Sequence, residues 1–404
     1  MVDDTTLFDR EALSAQALQS SSAGHFAEAK KIYERILHNV PDDGLAMTRL
    51  ALVVLRLGDI KSALEWAQRA IEVTPAPAGF FHLNHAVVLR RLGRIDEAIA
   101  AYRAALFIQP TYLVAFKHLG KMLGDISRAA KKPTPTEPAS GEAATAIEAP
   151  QDRSISVVIC SIDDRKRRQI CSLYERLLAG RDFEIIVIPD AKSLCEGYNR
   201  GFAQSRGEIV VFSHDDIDIA SDDFAPRLLN HMSTNDLVGV AGTSRLTGPS
   251  WPFPGWPHVH GFIVHRLPDR FVFECYGAMP RTLPIQAIDG VFFAASRKVC
   301  EAVPFDETTF DGFHFYDLDF TFRAFKAGFR TAVCPDILIL HGSPGVKDER
   351  WERYGERWRD KYKDEISFRR IPNRKLWHSE SFQTVEQVRD FHRRFSAAID
   401  GVGA

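Results

Sequence analysis

Hydrophobic and polar positions follow two different periods along this chain. In the first third, apolar residues recur at helical spacing, and a glycine, an alanine and a proline return every 34 or 35 residues. The glycine allows a tight turn between two helices, and the proline ends the second helix. We therefore predict a repeat of helix pairs. The repeated positions are Gly24, Gly58 and Gly93, then Ala29, Ala63 and Ala98, then Pro41, Pro75 and Pro110.

This repeat resembles the tetratricopeptide repeat (TPR) over about residues 11 to 125. The small alanines would let the helices approach closely, while Tyr33, Trp66 and Tyr102 would fill the larger gaps. The resemblance implies an all-α solenoid whose concave face binds a peptide or a protein partner. A solenoid that serves only for dimerisation, or that braces its neighbour, fits the sequence equally well.

In the second half of the chain, the pattern changes to short apolar runs separated by helical segments. The runs 155–160, 184–188 and 209–212 predict buried strands, with helices over 165–178 and 193–205 between them. This alternation predicts an α/β domain with a doubly wound parallel sheet. The sequence contains neither a Gly-x-Gly-x-x-Gly turn after the first strand nor a P-loop, so a glycine cradle for phosphates is excluded.

The composition between the two patterns predicts a flexible linker, because residues 131–153 are rich in Pro, Ala, Thr, Ser and Glu. We predict four segments: a helical-repeat domain over 8–128, a linker over 129–153, an α/β domain over 154–345, and a C-terminal helical extension over 346–404 packed on the α/β domain. An aromatic stripe at helical spacing predicts core contact for this extension. The stripe consists of Trp351, Tyr354, Trp358 and Tyr362 and continues to Ile366.

Polar side chains follow the predicted strands. Asp190 comes after the second strand, and His214, Asp215 and Asp216 come directly after the third. Ligands of open α/β sheets collect at the carboxyl ends of strands, and such side chains are costly to bury unless they are paired or bind a metal. Carboxylate ligands suit Mg2+ or Mn2+ that carries a diphosphate. A polar turn that caps the next element is the alternative.

A second polar group lies further along the chain. Asp317 and Asp319 lie near the start of a predicted helix over 320–327, where the helix dipole stabilises ionised carboxylates. Helix capping is the alternative for one of the two. A predicted strand over 332–340 then leads into His341.

The order of these elements resembles the GT-A fold of the inverting glycosyltransferases of family 2, over about residues 154–345. Two residues depart from the common family motifs: His214 stands in place of the first acid of the metal-binding triplet, and Tyr316 in place of a glutamate before the base. This combination looks like a bacterial branch of the family. The landmarks are Asp190, Tyr198-Asn199-Arg200-Gly201, Gly207-Glu208 before His214-Asp215-Asp216, His314-Phe315-Tyr316-Asp317, and His341.

The resemblance implies a transferase that uses a UDP-, GDP- or dTDP-sugar, with Mn2+ or Mg2+ on the diphosphate. It implies Asp317 as the base that deprotonates the acceptor. It implies Asp216, His341 and His214 as metal ligands. The donor-binding residues that it implies are Asp190, Asn199, Asp215, Asp289 and Gly290.

The expected acceptor is a protein or a cell-envelope glycan, with the solenoid used for partner binding, acceptor binding or oligomerisation. A non-catalytic TPR scaffold with a degenerate transferase domain is the alternative, and the departures at His214 and Tyr316 keep it open. Retention of Asp216, Asp317 and His341 together argues against it.

A segment rich in proline and aromatic residues, 251–260, is less specific. A sugar ring or an acceptor could stack on its aromatic rings. Packing at the edge of the domain explains the segment nearly as well.

The composition adds limits rather than a new direction. Of the 404 residues, 45% are hydrophobic and 26% are charged, which is typical of folded domains, and the net charge of -2 gives no argument for nucleic acid or an anionic membrane. The six cysteines form no Cys-x-x-Cys pair, which fits a reducing compartment. No apolar run approaches the roughly 20 residues of a membrane-spanning helix, and the acidic N-terminus lacks a signal-peptide core. We therefore expect a cytoplasmic protein.

Overall fold

The structure of this chain is a computed structural model that describes residues 8–130, 153–277, 284–343, 345, 348–368 and 377–400. The predicted linker lies almost entirely outside the described residues. The chain divides into two compact units between Leu119 and Gly120. The predicted first domain continues to residue 128, and the boundaries of the four predicted segments stay predictions.

Pairs of helices build the first unit, as the repeat predicts. The φ angle is 83° at Gly24, 91° at Gly58 and 76° at Gly93. Glycine adopts such angles without steric cost, so the repeated glycine turns the chain between the two helices of each pair. The helices are α1 (Arg10–Ser22), α2 (Phe26–Asn39), α3 (Gly44–Arg56), α4 (Ile60–Val73), α5 (Gly79–Arg91), α6 (Ile95–Ile108) and α7 (Leu113–Ala129), the last of which crosses the division.

The core of the first unit combines small and large side chains. The repeated alanines are fully buried between the helices. Tyr33 and Tyr102 are buried as well, while Trp66 is partly buried. Burial of one apolar face per helix therefore confirms the predicted helical repeat.

The second unit is an α/β domain with C-terminal helices, which confirms the predicted fold class. Its strands and helices alternate at first and then group into a long β-rich stretch. They are β1 (Ile155–Cys160), α8 (Asp164–Leu177), β2 (Phe183–Ile188), α9 (Leu194–Gln204), β3 (Ile209–Ser213), β4 (Ile217–Ile219), α10 (Phe224–Thr234), β5 (Leu237–Gly239), β6 (Ala241–Thr243), β7 (Val259–Arg266), β8 (Phe271–Gly277), β9 (Ala287–Ile288), β10 (Phe292–Ser296), α11 (Arg297–Ala302), α12 (Tyr316–Lys326), β11 (Thr331–Val333), β12 (Ile339–His341), α13 (Glu349–Tyr362), β13 (His378–Phe382) and α14 (Val385–Ile399).

The central sheet is mixed rather than parallel throughout. Its strand order is β11-β5-β10-β3-β1-β2, and β1 is parallel to both β2 and β3 as predicted. However, β10 is antiparallel to β3 and to β5, so the prediction of a parallel sheet is wrong there. The antiparallel register places Phe292 opposite Ser213, and β10 therefore begins where β3 ends. The turn before β10, which contains Asp289 and Gly290, consequently lies at the carboxyl end of β3.

The single strand predicted over 332–340 is two strands in different sheets. Pro335 lacks the N–H that a strand ladder needs, and Ile337 N–H donates to the Cys334 carbonyl at 3.3 Å in a turn. The chain therefore leaves the central sheet after β11. It enters a second sheet, ordered β13-β8-β7-β12-β4 with β6 and β9 attached, through β12. This change of sheet brings His341 to the end of β3.

The C-terminal helix α13 packs through its aromatic stripe. Tyr354, Trp358 and Tyr362 are buried, and Trp351 is partly buried against the core of the α/β domain. The predicted core contact is confirmed. Within the described ranges, no helix combines the length and apolarity that crossing a bilayer requires.

Candidate functional site

Three strand ends bring two histidines and one aspartate together. His214 follows β3 directly, Asp216 precedes β4, and His341 ends β12. Because β12 pairs with β4 in antiparallel register, with His341 opposite Ile217, Asp216 lies next to His341. The backbone N–H of Gly342 donates to the Asp216 carbonyl at 2.7 Å and joins the end of β12 to the start of β4.

The side chains of these three residues form a compact cluster, which we call the His–Asp–His cluster. His341 Nε2 lies 3.3 Å from Asp216 Oδ1 and 3.4 Å from His214 Nδ1. His214 Nδ1 lies 4.0 Å from Asp216 Oδ1. Ligand atoms about 3 to 4 Å apart can share one ion, since bonds to a divalent metal are about 2.0 to 2.2 Å long. In the part of the chain that the structure describes, this is the one group of three or more such side chains.

The hydroxyl of Tyr316 determines which nitrogen of His214 faces the cluster. This hydroxyl donates its single proton to the Gly290 carbonyl at 3.0 Å. Its oxygen also lies 2.7 Å from His214 Nε2, so the imidazole must be the donor in that contact. Nε2 therefore carries the proton, and the lone pair of Nδ1 points at the cluster. This is the tautomer that a metal ligand needs.

The ionisation states also suit a divalent cation. Burial, with the neighbouring His341 as the second cause, lowers the pKa of His214 to about 4. Burial opposes ionisation of Asp216, but its hydrogen bond to His341 and the charge of that ring prevail and lower the Asp216 pKa well below its usual range. Neutral imidazole and ionised carboxylate are the metal-binding forms. Two nitrogens and one oxygen favour Mn2+ over Mg2+, which prefers oxygen ligands.

Asp215 takes no part in the cluster and contacts two other residues. Ser161 Oγ donates to Asp215 Oδ2 at 2.8 Å, and Lys166 Nζ lies 3.5 Å from Asp215 Oδ1. Lys166 Nζ also lies 3.8 Å from Asp216 Oδ2. The sequence analysis missed Lys166, because one lysine in the first turn of a helix carries no recognisable pattern. Only the fold places α8 beside the end of β3.

A second carboxylate, Asp317, lies in the first turn of α12 against the turn before β10. Its Oδ2 accepts from the Gly290 N–H at 2.8 Å. A Cβ at residue 290 would lie 2.2 Å from Tyr316 Oη and 2.8 Å from Asp317 Cβ, so only glycine allows this approach. Burial, followed by the charge of Asp289, raises the pKa of Asp317 to about 7.

Asp289 is held in place on both of its oxygens. Trp251 Nε1 donates to Asp289 Oδ2 at 2.6 Å, and the Val291 N–H donates to Oδ1 at 2.9 Å. Trp251 is only 7% exposed, and its ring packs edge-on against Tyr276. Trp251 therefore serves packing and the orientation of Asp289. Sugar stacking elsewhere on the segment 251–260 stays a prediction.

Asp317 and Asp319 face different partners, although both lie in the first turn of α12. Asp319 is 1% exposed, accepts from Tyr362 Oη at 2.5 Å and pairs with Lys361. This buried network joins α12 to α13, so the role of Asp319 is structural. Neither aspartate occupies the cap position of the helix, which is held by Phe315; this residue makes no side-chain capping bond and has a φ angle of 66°.

The structure does not bring Asp190 and Asn199 into the cluster. The Asp190 side chain is 71% exposed and pairs with Arg200 at 2.9 Å. The Asn199 amide holds the backbone of Phe305, with its Oδ1 accepting at 2.9 Å and its Nδ2 donating at 3.0 Å. The predicted donor-binding roles of both residues stay predictions, and the Asn199 contacts describe a structural clamp.

The fold and the site together define a class of protein. A mixed α/β domain gathers the His–Asp–His cluster at the ends of its strands and holds the Asp317 carboxylate against the turn before β10, and the same chain also contains a unit of helical repeats. The family model for a glycosyltransferase-like family matches residues 156–366, and the model for the tetratricopeptide repeat matches residues 15–80 and 81–112. The first match covers more than half of the 404 residues, so the chain belongs to this glycosyltransferase-like family and carries TPR repeats.

Solved structures similar to this chain include TPR proteins. A crystal structure of MamA is 19% identical, covers 29% of this chain and 68% of its own, and has a TM-score of 0.27. MamA 41-end from Desulfovibrio magneticus RS-1 is 21% identical over 28% of this chain and 64% of its own, with a TM-score of 0.26. The first TPR of Spaghetti (RPAP3), bound to an HSP90 peptide, is 18% identical, covers 29% of this chain and 95% of its own, and has a TM-score of 0.28. At these scores nothing about function follows from the likeness. No curated protein sequence matches the chain.

We expect Tyr316→Phe to weaken Mn2+ binding by about tenfold, because His214 loses the acceptor that fixes its tautomer and ring orientation. Isothermal titration calorimetry with Mn2+ measures the change. Tyr354→Phe is the matched control, since it removes a hydroxyl that donates to Asp311 rather than to the cluster. Equal affinity of Tyr316→Phe and the unmodified protein would contradict this account of the tautomer.

We expect Asp317→Asn to stabilise the metal-free protein at high pH. The folded-state pKa of Asp317, about 7, exceeds its ordinary value of 3.8, so the stability that it contributes at low pH is lost as the pH rises towards 7. Asparagine keeps an acceptor for the Gly290 N–H without this ionisation cost, which is on the order of a few kcal/mol. The thermal midpoint of the variant should exceed that of the unmodified protein more at pH 8 than at pH 5, in the presence of EDTA. A gap that is the same at both pH values, or that the exposed control Asp360→Asn reproduces, would contradict the shift.

Proposed function

We propose that the protein is an inverting glycosyltransferase that moves a sugar from a UDP-, GDP- or dTDP-sugar to a hydroxyl of a protein or glycan acceptor. One observation carries the proposal. Gly290 and Tyr316 connect the two halves of the site, because Gly290 holds Asp317 through its N–H and receives the Tyr316 hydroxyl that orients His214. Sugar transfer from a nucleoside diphosphate requires a base for the acceptor hydroxyl and side chains that bind a cation. Here the two are linked through Gly290 and Tyr316.

The His–Asp–His cluster would hold Mn2+ or, less well, Mg2+. A bound divalent ion would neutralise the charge that develops on the departing diphosphate. Asp216 is ionised and His214 is neutral, which are the forms in which these two side chains bind a metal. Asp215, Asp289 and Gly290 are proposed to contact the donor. Asp190 and Asn199 are proposed to bind it further along β2 and α9.

Asp317 is the proposed base. A pKa of about 7 allows a carboxylate to accept a proton from the acceptor hydroxyl near neutral pH, where a base is most effective. One carboxylate is enough for inversion, since the nucleoside diphosphate leaves without being protonated. Glycosidases, in contrast, divide the work between two carboxyl groups.

The TPR unit is proposed to bind a protein partner or the acceptor, or to join copies of the chain. Stacked helix pairs form extended surfaces for such contacts. We propose a cytoplasmic location on the composition and the scattered cysteines.

We expect a nucleoside diphosphate to raise the thermal midpoint of the protein in the presence of Mn2+. A panel of UDP, GDP and dTDP, each with and without Mn2+, tests this by differential scanning fluorimetry. Asp216→Ala should lose the Mn2+-dependent part of the shift, because it removes the carboxylate of the cluster. Stabilisation by none of the nucleotides would favour a non-catalytic TPR scaffold instead. A shift that Asp216→Ala retains in full would mean that the cation binds elsewhere.

We expect Asp317→Asn to keep nucleotide binding and to lose at least about 99% of the transfer rate, since an amide cannot accept the acceptor proton and such a base contributes about 10²- to 10⁴-fold. The rate is measured as the release of nucleoside diphosphate from the nucleotide sugar that binds best. Asp360→Asn, an exposed change of the same kind on α13, is the control. Full turnover by Asp317→Asn would remove Asp317 as the base.

A further inference from the structure

The ammonium group of Lys166 lies beside the His–Asp–His cluster but outside it. Its Nζ is 3.5 Å from Asp215 Oδ1 and 3.8 Å from Asp216 Oδ2. Both distances exceed the roughly 2.7 to 2.9 Å of a charge-assisted hydrogen bond, and 39% of the side chain is exposed. Two carboxylates therefore attract the ammonium group without saturating it. It keeps donors and solvent access for a further anion.

The two oxygens of Asp216 face different groups. Oδ1 faces the rings of His341 and His214 inside the cluster, and Oδ2 faces Lys166. A cation in the cluster and the ammonium of Lys166 would thus lie on either side of one carboxylate. An anion with two linked phosphoryl groups matches such a pair of positive charges, whereas a single phosphoryl group matches one of them.

The charges near the cluster also favour a diphosphate. The common family motif has an acid where this chain has His214, so Asp216 is the one carboxylate of the cluster. Lys166 offsets the charge of Asp215, which Ser161 orients from the other side. With a divalent cation bound, that cation and Lys166 would both present positive charge at this position. A diphosphate is attracted to such a site.

We propose that Lys166 binds the diphosphate of the donor, and of the departing nucleoside diphosphate, as a second positive group beside the cluster. The inference rests on the proposed function, which supplies the diphosphate. The competing explanation is a structural ion pair, in which Lys166 only neutralises Asp215 and Asp216. The two explanations predict different binding of phosphates and of the metal.

The experiment is a set of calorimetric titrations with Lys166→Met, Lys166→Arg and the control Lys298→Met. Lys298 is exposed in α11, beyond the opposite end of β10 from the cluster, and loses the same charge. The probes are Mn2+ alone, and then UDP, GDP, dTDP and inorganic pyrophosphate in the presence of Mn2+. Circular dichroism spectra check that each variant is folded, and Lys166→Arg keeps the charge if the methionine variant does not fold.

We expect Lys166→Met to weaken binding of every diphosphate that the unmodified protein binds by about tenfold, the value of one hydrogen bond to a charged group. Binding of Mn2+ alone should stay equal or become tighter, because a positive charge near Asp216 has been removed. Lys166→Arg should retain most of the diphosphate affinity, and Lys298→Met all of it.

Three results would overturn the inference. Unchanged diphosphate affinity in Lys166→Met would leave only the structural ion pair. A joint loss of Mn2+ and diphosphate binding would show that Lys166 supports the cluster instead of the anion. If the unmodified protein binds no diphosphate at all, the proposed function fails together with the inference. In the first two results the unmodified protein still binds a diphosphate, so the inference about Lys166 fails alone.

Discussion

The proton of the Tyr316 hydroxyl determines the arrangement of the candidate site. A hydroxyl has one proton to donate, and the Gly290 carbonyl receives it. His214 must then donate to the hydroxyl oxygen, which leaves the other ring nitrogen unprotonated and facing Asp216. The Gly290 that accepts this proton also donates its N–H to Asp317, so one residue links the tautomer of a metal-ligand candidate to the base candidate. The close approach of α12 is possible because residue 290 has no Cβ.

The two departures from the common family motifs are partners of one another in the structure. His214 stands where an acid is usual, Tyr316 stands where a glutamate is usual, and the two side chains lie 2.7 Å apart. A degenerate domain has no reason to replace two residues far apart in sequence with a pair that hydrogen-bonds. The pairing therefore supports a site with altered ligands rather than a site that has been lost. The contact also gives His214 Nε2 a hydrogen-bond partner.

Partners rather than residue type separate Asp317, the proposed base, from the structural carboxylate of Asp319. Asp317 and Asp319 lie two positions apart, and this spacing points them to different faces of one helix. Burial and the negative charge of Asp289 raise the pKa of Asp317, although the hydrogen bond from the Gly290 N–H opposes this shift. Asp319 faces Lys361 and Tyr362 and ties the helix to α13. This buried network holds α12 on the side away from Gly290. The cap residue of the same helix, Phe315, has a backbone conformation that is uncommon outside glycine.

The sequence by itself determined the helical repeat, the strands before Asp190 and His214, and the family resemblance, because short-range periodicity and turn residues are local properties of the chain. The apolar runs placed His214 and Asp216 at a strand end, and the family resemblance implied that they and His341 are metal ligands. Only the tertiary structure decided that β10 runs antiparallel, that the predicted strand 332–340 divides between two sheets, and that Lys166 lies beside Asp216. Strand direction and contacts between distant segments depend on how whole elements pack, and a local pattern of hydrophobic and polar residues contains no record of that packing.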